Sequence, residues 1–447
     1  MMIDSVCRTL TFSPLSSGLA FPPKIGKRPS VRQLAVLPVL AAGLWLHGCA
    51  APDRADDTAA DTAAATATAE ADRREREDSR TADRVDPGQA DREAQVRRVE
   101  ERYVIGHISS REFGYRIEWQ NPFVGIDPHL IEVADDAIFV LDRENFLTRI
   151  ERENGREVWR LPVAEPVMEI LAITYLPDRE RVYLTVGGEI LVFDAGNGLQ
   201  IGRQRLERIA GTPPVPAGNF FLYGSRNGQL VWHSHTVGYQ WRSYQVAGAI
   251  TAMPRIAGNY VAVAGSDGTI SVHDLRSTNR LWTKQVLGPV VTRPAIGAST
   301  IFVSGTDQHL WAYDLVTGRN VWRYLSQSRL TAPPIFVREQ LYQQIPDRGL
   351  VRFEPRTDRP DGRIIWTSPD VRGTVLAHRG ERLLVWDREN RVMDVVDPQR
   401  GGKITTASLS QVHRIIATDP EGSEIYALSR DGRLVKLLPL HGGQARR

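Results

Sequence analysis

Cysteine is almost missing from this chain. Only Cys7 and Cys49 occur among its 447 residues, and none follows Cys49. That excludes a disulfide framework downstream of Cys49, and with it any Cys-x-x-Cys-His haem attachment site. Long hydrophobic runs are equally scarce. The stretch from Leu34 to Leu46 is too short to cross a bilayer as a permanent helix. Charge of one sign is not in excess either: 56 Lys and Arg against 53 Asp and Glu leave a net charge of +3. No strong nucleic-acid field follows from that balance. The chain also lacks a Gly-x-Ser-x-Gly elbow, a phosphate-binding Gly-rich loop with Lys, and a His-Glu-x-x-His zinc helix.

What the sequence does have is a repeat. The position of Asp314 in AYDLVTGRNVW can be followed through Glu151, Asp194, Ser234, Asp274, Asp314, Glu354, Asp397 and Leu438, with successive spacings of 43, 40, 40, 40, 40, 43 and 41 residues. A period near 40 with strand-like content marks an all-β, eight-bladed β-propeller, one four-stranded blade per repeat. The fifth repeat shows the pattern: Thr300–Gly305 reads as a strand, Thr306–Gln308 as a turn, His309–Leu315 as the returning strand, and Asn320–Leu325 as the outermost strand. Turn chemistry recurs at Asn227–Gly228, Asp267–Gly268 and Asp431–Gly432, where tight hairpins need positive φ. The second turn carries Gly155, Gly198, Gly238, Gly318, Gly362 and Gly402. Trp159, Trp241, Trp322 and Trp366 follow three or four residues later, and Trp282 keeps the register without the glycine. These tryptophans are expected to dock each blade on its neighbour, with the indole N–H finding a carbonyl. Gly202 or Arg203 in blade two and Thr405 in blade seven replace the tryptophan, which predicts weaker junctions there. The eighth repeat lacks an outer strand, and Tyr115–Gln120, with Trp119, is expected to supply it by pairing with Leu434–Leu438.

The segment before the repeats divides in two. Residues 1–48 read as a signal peptide: basic residues precede the apolar run, which ends in Leu46–His47–Gly48–Cys49. That ending resembles a bacterial lipobox and implies diacylglycerol on Cys49; Ala50 and Ala51 then favour the outer membrane, facing the periplasm. Val31 offers an alternative start of translation to Met1. Residues 49–102 read as a charged linker with no aromatic residue, too poor in apolar surface to offset the entropy of ordering. A flexible linker of this length has an end-to-end distance of about 40 Å. Part of 83–102 is compatible with a charged, solvated helix. Residues 103–447 form the propeller domain.

Candidate site residues are few. His233 and His235 share a strand face at i and i+2, as a metal pair would. His233, however, occupies the slot of Phe193, Tyr313 and Phe353, and His273 holds it in blade four, so a packing role is expected. Arg255, Arg293, Arg372 and Arg414 fall near the starts of inner strands and make a candidate partner-binding rim for an acidic peptide or anionic ligand.

AYDLVTGRNVW resembles the tryptophan docking motif of quinoprotein alcohol dehydrogenases, eight-bladed propellers that use pyrroloquinoline quinone and Ca²⁺. That resemblance implies a cofactor stacked on a ring of two adjacent cysteines, which this chain lacks after Cys49; a quinone-dependent or other ligand-binding propeller is the alternative reading. The lipobox, linker and quinoprotein-like ring together resemble the BamB-type lipoproteins. That resemblance implies a non-enzymatic scaffold without cofactor, metal or catalytic residue. It also implies partners among envelope proteins of the β-barrel assembly machinery, reached through the loops, with blade edges handling unfolded strands by β-augmentation. One departure is that Ile209–Ala210–Gly211 precedes Thr212, where the family pattern has Asp-x-Asp.

Overall fold

The repeat becomes eight antiparallel four-stranded sheets in a computed structural model that describes residues 87–440 apart from residues 247 and 423. The expected signal peptide, the lipidation site Cys49 and the linker up to residue 86 lie outside the described residues. Blade five is typical. Its strands are Ala295–Ile296, Thr300–Ser304, His309–Asp314 and Asn320–Leu325, running from the centre outward. Every residue of Thr300–Ser304 is buried, because an interior strand meets a neighbouring blade on both faces. This explains the unbroken apolar run where a one-sided sheet would alternate. In the first turn the Asp307 carboxylate accepts from the His309 backbone N–H (3.2 Å) and the Trp311 indole N–H (3.1 Å). Since neighbouring strands are antiparallel, the blade-to-blade connections and the middle turns fall on one face of the ring, here the loop face. The remaining turns fall on the other.

The blades are joined by tryptophan. Trp282 of blade four donates its indole N–H to the Leu315 carbonyl of blade five at 2.9 Å. Its ring lies over Gly318, where φ is +69° and an added Cβ would come within 2.7 Å of the indole. Both demands exclude any other residue there. The same hand-over recurs from Trp119 to the Arg152 carbonyl (3.2 Å), Trp159 to Ala195 (2.9 Å), Trp322 to Pro355 (3.1 Å) and Trp366 to Pro398 (3.0 Å). Each acceptor directly follows the repeat position traced through Asp314. In blade seven the glycine under the indole is Gly401, with φ +75°, and not Gly402.

Trp241 departs from expectation. It is 46 % exposed and rests on Phe220 of its own blade, with ring centroids 5.1 Å apart. The docking residue is offset four from the turn glycine, whereas Trp241 stands three beyond Gly238. Strand alternation turns it to the opposite side. Arg242 takes the docking place, donating to the Thr278 hydroxyl at 2.7 Å; Thr278, with φ +58°, replaces the glycine of blade four. The two junctions after blades whose outer strand has no tryptophan at all are filled in other ways. In blade two Gln204 donates to the His235 carbonyl (2.8 Å) and its Oε1 meets His233 Nε2 (2.9 Å). Between blades seven and eight, buried Val104, Ile105 and Phe113 pack with Ala407 and Leu409 in one apolar cluster.

Closure follows the expected pairing. Tyr115–Asn121 runs antiparallel to Leu434–Pro439, with Arg116 opposite Leu438 and Trp119 opposite Lys436. Ahead of it lie helix α1, Pro87–Glu100, and helix α2, His107–Glu112. The described side chains of α1 are largely exposed, as a charged helix requires, and Glu100 accepts from the backbone N–H of His107 and Ile108. At the seam Arg152, Glu424 and Lys436 form an ion network, with Arg152–Glu424 at 3.0 Å and Lys436–Glu424 at 3.2 Å. Burial acts to raise the Glu424 pKa, but hydrogen bonds from Tyr426, Lys436 and Arg152 hold it below the usual value.

Trp322→Ala removes a fully buried ring and its hydrogen bond, and is expected to cost about 3–5 kcal/mol. Trp241→Ala is expected to cost less than about 1 kcal/mol. Urea unfolding of the two variants checks this; equal losses would contradict the assignment of docking residues.

Candidate functional site

The four candidate arginines separate into two places. Arg372 precedes the innermost strand of blade seven, Thr374–Arg379, and Arg414 lies on that of blade eight, Val412–Ala417. Both line a loop-face cavity of about 620 Å³ together with Gln344, Trp386, Arg388 and His413. Arg414 donates to the His129 carbonyl at 2.6 Å. Burial, and then the charge of Arg388, lowers its pKa. His413 faces Asp127 at 3.8 Å; burial lowers its pKa while Asp127 acts to raise it. The wall also holds two acids, Asp387, committed to its own turn by accepting from the Glu389 and Asn390 backbone N–H groups at 3.0 and 3.1 Å, and Glu389, set against the three arginines. The cavity is therefore a basic cleft open to an acidic or anionic group. Arg255 and Arg293 lie elsewhere, at the inner ends of blades four and five. Sequence spacing found the arginines but missed Arg388 and His413, which sit in a turn and on a strand of no unusual composition.

The loop face also carries apolar side chains without cover. Val167 is 90 % and Leu287 97 % exposed, and Ile209 and Val291 are also exposed; all four lie on blade-to-blade connections. Their signal in the sequence is a few scattered aliphatic residues inside short, Pro/Gly-containing connections, too irregular to register as a pattern.

The two histidines that share a strand face lie in the interior. His233 and His235 are buried, the first bonded to Gln204 and the second, through Nε2, to the Gly218 carbonyl at 3.0 Å. Burial, then the nearby His235, pushes His233 down to about 4. His273 meets the Ser271 hydroxyl at 2.9 Å. The described residues hold no group of three or more His, Cys, Asp or Glu suited to a metal ion. With no cysteine after Cys49, these residues do not fit a quinone and Ca²⁺ pair. On the innermost strand of blade one, burial pushes Glu132 up to about 7, opposed by a hydrogen bond from the Tyr175 backbone.

A ring of eight four-stranded blades defines the class: a β-propeller. The sequence matches the family described as outer membrane protein assembly factor BamB over residues 116–324 and 287–425, and the chain belongs to that family. Among solved structures it is similar to the crystal structure of BamB from Moraxella catarrhalis. There the identity is 17 % and the TM-score 0.58, covering 74 % of this chain and 99 % of that one. It is also similar to the computationally designed Ika8 protein, at 15 % identity and TM-score 0.56, covering 71 % of this chain and 97 % of the other. These likenesses show the fold. No curated protein matches the sequence.

Glu132 gives a pH signature. The folded chain holds the proton more tightly than the unfolded one, so this contribution to stability is full below about pH 4.5 and is lost as pH rises through about 7. Glu132→Gln is therefore expected to melt at higher temperature than the wild type at pH 8, and close to it at pH 4.5. A difference independent of pH in thermal melts would contradict the assignment.

Proposed function

We propose that the chain is a membrane-anchored, extracytoplasmic and non-enzymatic scaffold that works in the assembly of outer-membrane β-barrel proteins and binds its partner through the loop face. The observation that carries this reading is the pairing of exposed Val167, Ile209, Leu287 and Val291 with the basic cleft of Arg372, Arg388 and Arg414. Exposed aliphatic side chains set on rigid connections are suited to anchoring a partner, and the arginines to steering and orienting an acidic one. Membership of the assembly-factor family supports the barrel-assembly setting. The Cys49 motif supports the lipid anchor, in the outer membrane and facing the periplasm. The 37 residues from Ala50 to Asp86, ahead of helix α1, then give the ring reach above the bilayer surface.

Crosslinking in cells, followed by identification of co-purified proteins, tests the proposal. The wild type is expected to recover barrel-assembly components. A variant carrying Val167→Asp, Leu287→Asp, Arg372→Glu and Arg388→Glu is expected to recover at least tenfold less while keeping its melting temperature. Unchanged recovery by the variant, or none by the wild type, would overturn the reading.

A further inference from the structure

Arg255 opens the innermost strand of blade four, Arg255–Ala257, and Arg293 stands just before that of blade five, Ala295–Ile296. The Nε of each is buried without an acceptor. The hydrogen bond recorded for the pair runs from Arg293 to the Pro254 carbonyl at 3.4 Å, near the limit of a real bond. Arg160 and Arg352 also bury an Nε without an acceptor, but their other nitrogens are better served, Arg160 by Asp142 at 2.8 Å and Arg352 by the Pro398 carbonyl at 2.8 Å, while Arg152 has Glu424 at 3.0 Å. Among the described residues neither Arg255 nor Arg293 has a carboxylate partner. Burial, and then the charge of Arg255, brings Arg293 down to about 10, so the two cations feel one another.

The repeat does not require either residue. Where blade four has Arg255, blades three, five and six have Val215, Ala295 and Ile335; where blade five has Arg293, blades three, four and six have Pro213, Met253 and Pro333. Two separate departures from the repeat thus set two arginines at neighbouring inner ends, with Arg293 reaching the carbonyl of the residue before Arg255. Like charges brought together out of water are unfavourable unless an anion joins them, and planar guanidinium forks match the oxyanions of phosphate and carboxylate.

We propose that Arg255 and Arg293 form an oxyanion site at the inner ends of blades four and five, taking a phosphate or carboxylate group between their guanidinium forks. The site shares no residue with the partner surface proposed above, although Val291 of that surface stands two residues before Arg293.

Thermal melts of the purified protein, titrated separately with inorganic phosphate and with citrate at constant ionic strength set by chloride, test the site. The wild type is expected to gain several degrees saturably. Arg255→Gln/Arg293→Gln is expected to show only the linear rise that any excluded anion gives. Arg319→Gln/Arg400→Gln, at two exposed outer-turn arginines, is expected to respond as the wild type does. Saturation by phosphate alone identifies a phosphate ligand, and by citrate alone a carboxylate ligand. Equal responses from the wild type and the Arg255/Arg293 variant would overturn the proposal. If the double variant does not fold, the phosphorus NMR line of phosphate mixed with the wild type decides. Saturable broadening that citrate reverses supports the site, and an unbroadened line overturns it.

Discussion

The ring depends on one interaction, repeated: an indole from the outer strand of one blade laid over the outer turn of the next, with its N–H given to a backbone carbonyl there. The pairing of Trp282 with Gly318 and the Leu315 carbonyl shows why it is demanding. The turn must have positive φ to offer its carbonyl, and it must lack a Cβ to admit the ring. Each contact therefore fixes both the distance and the rotation between two blades. Where the tryptophan is missing the same acceptor position is still served. Gln204 supplies an amide N–H to the His235 carbonyl, and Arg242 reaches the neighbouring turn through the Thr278 hydroxyl. A ring is only as closed as its worst junction, so the expected weak points have acquired replacements. Between blades seven and eight the replacement is an apolar plug from residues before the first strand.

This rigidity lets the loop face act. A connection held at both ends by docked blades keeps Val167 or Leu287 exposed without collapsing onto the core. The arginines of the cleft are likewise presented by turns and inner strands that the docking contacts hold in place. Recognition residues on a stiff frame lose little entropy when a partner binds. The same frame keeps Arg255 and Arg293 at neighbouring inner ends.

Much of the fold was legible because the repeat states its own geometry. The closing strand could be identified from Tyr115–Trp119, an outer strand without a blade, facing a last repeat without an outer strand. Trp241 departs from the pattern because spacing, and not residue type, selects the docking residue. Only the residue four beyond the turn glycine faces the next blade, and that rule also moves the blade-seven glycine to Gly401, four before Thr405. The site was less legible. Spacing marked Arg255, Arg293, Arg372 and Arg414 as residues of inner-strand starts, but their division into a cleft and a pair depends on neighbours such as Arg388 and on which groups remain without acceptors. The burial of Glu132 is a property of two inner strands seen together, which no single repeat records.

The central claim is a ring sealed by pairing residues 115–121 with residues 434–439, and a single crosslink tests it. Arg116 and Leu438 are direct partners in this antiparallel pair, and such partners lie within disulfide reach. In Arg116→Cys/Leu438→Cys, mild oxidation is expected to join the two peptides nearly quantitatively, read by mass spectrometry after proteolysis, without lowering the melting temperature. Failure of those peptides to join in the folded protein would contradict the closed ring and the account built on it.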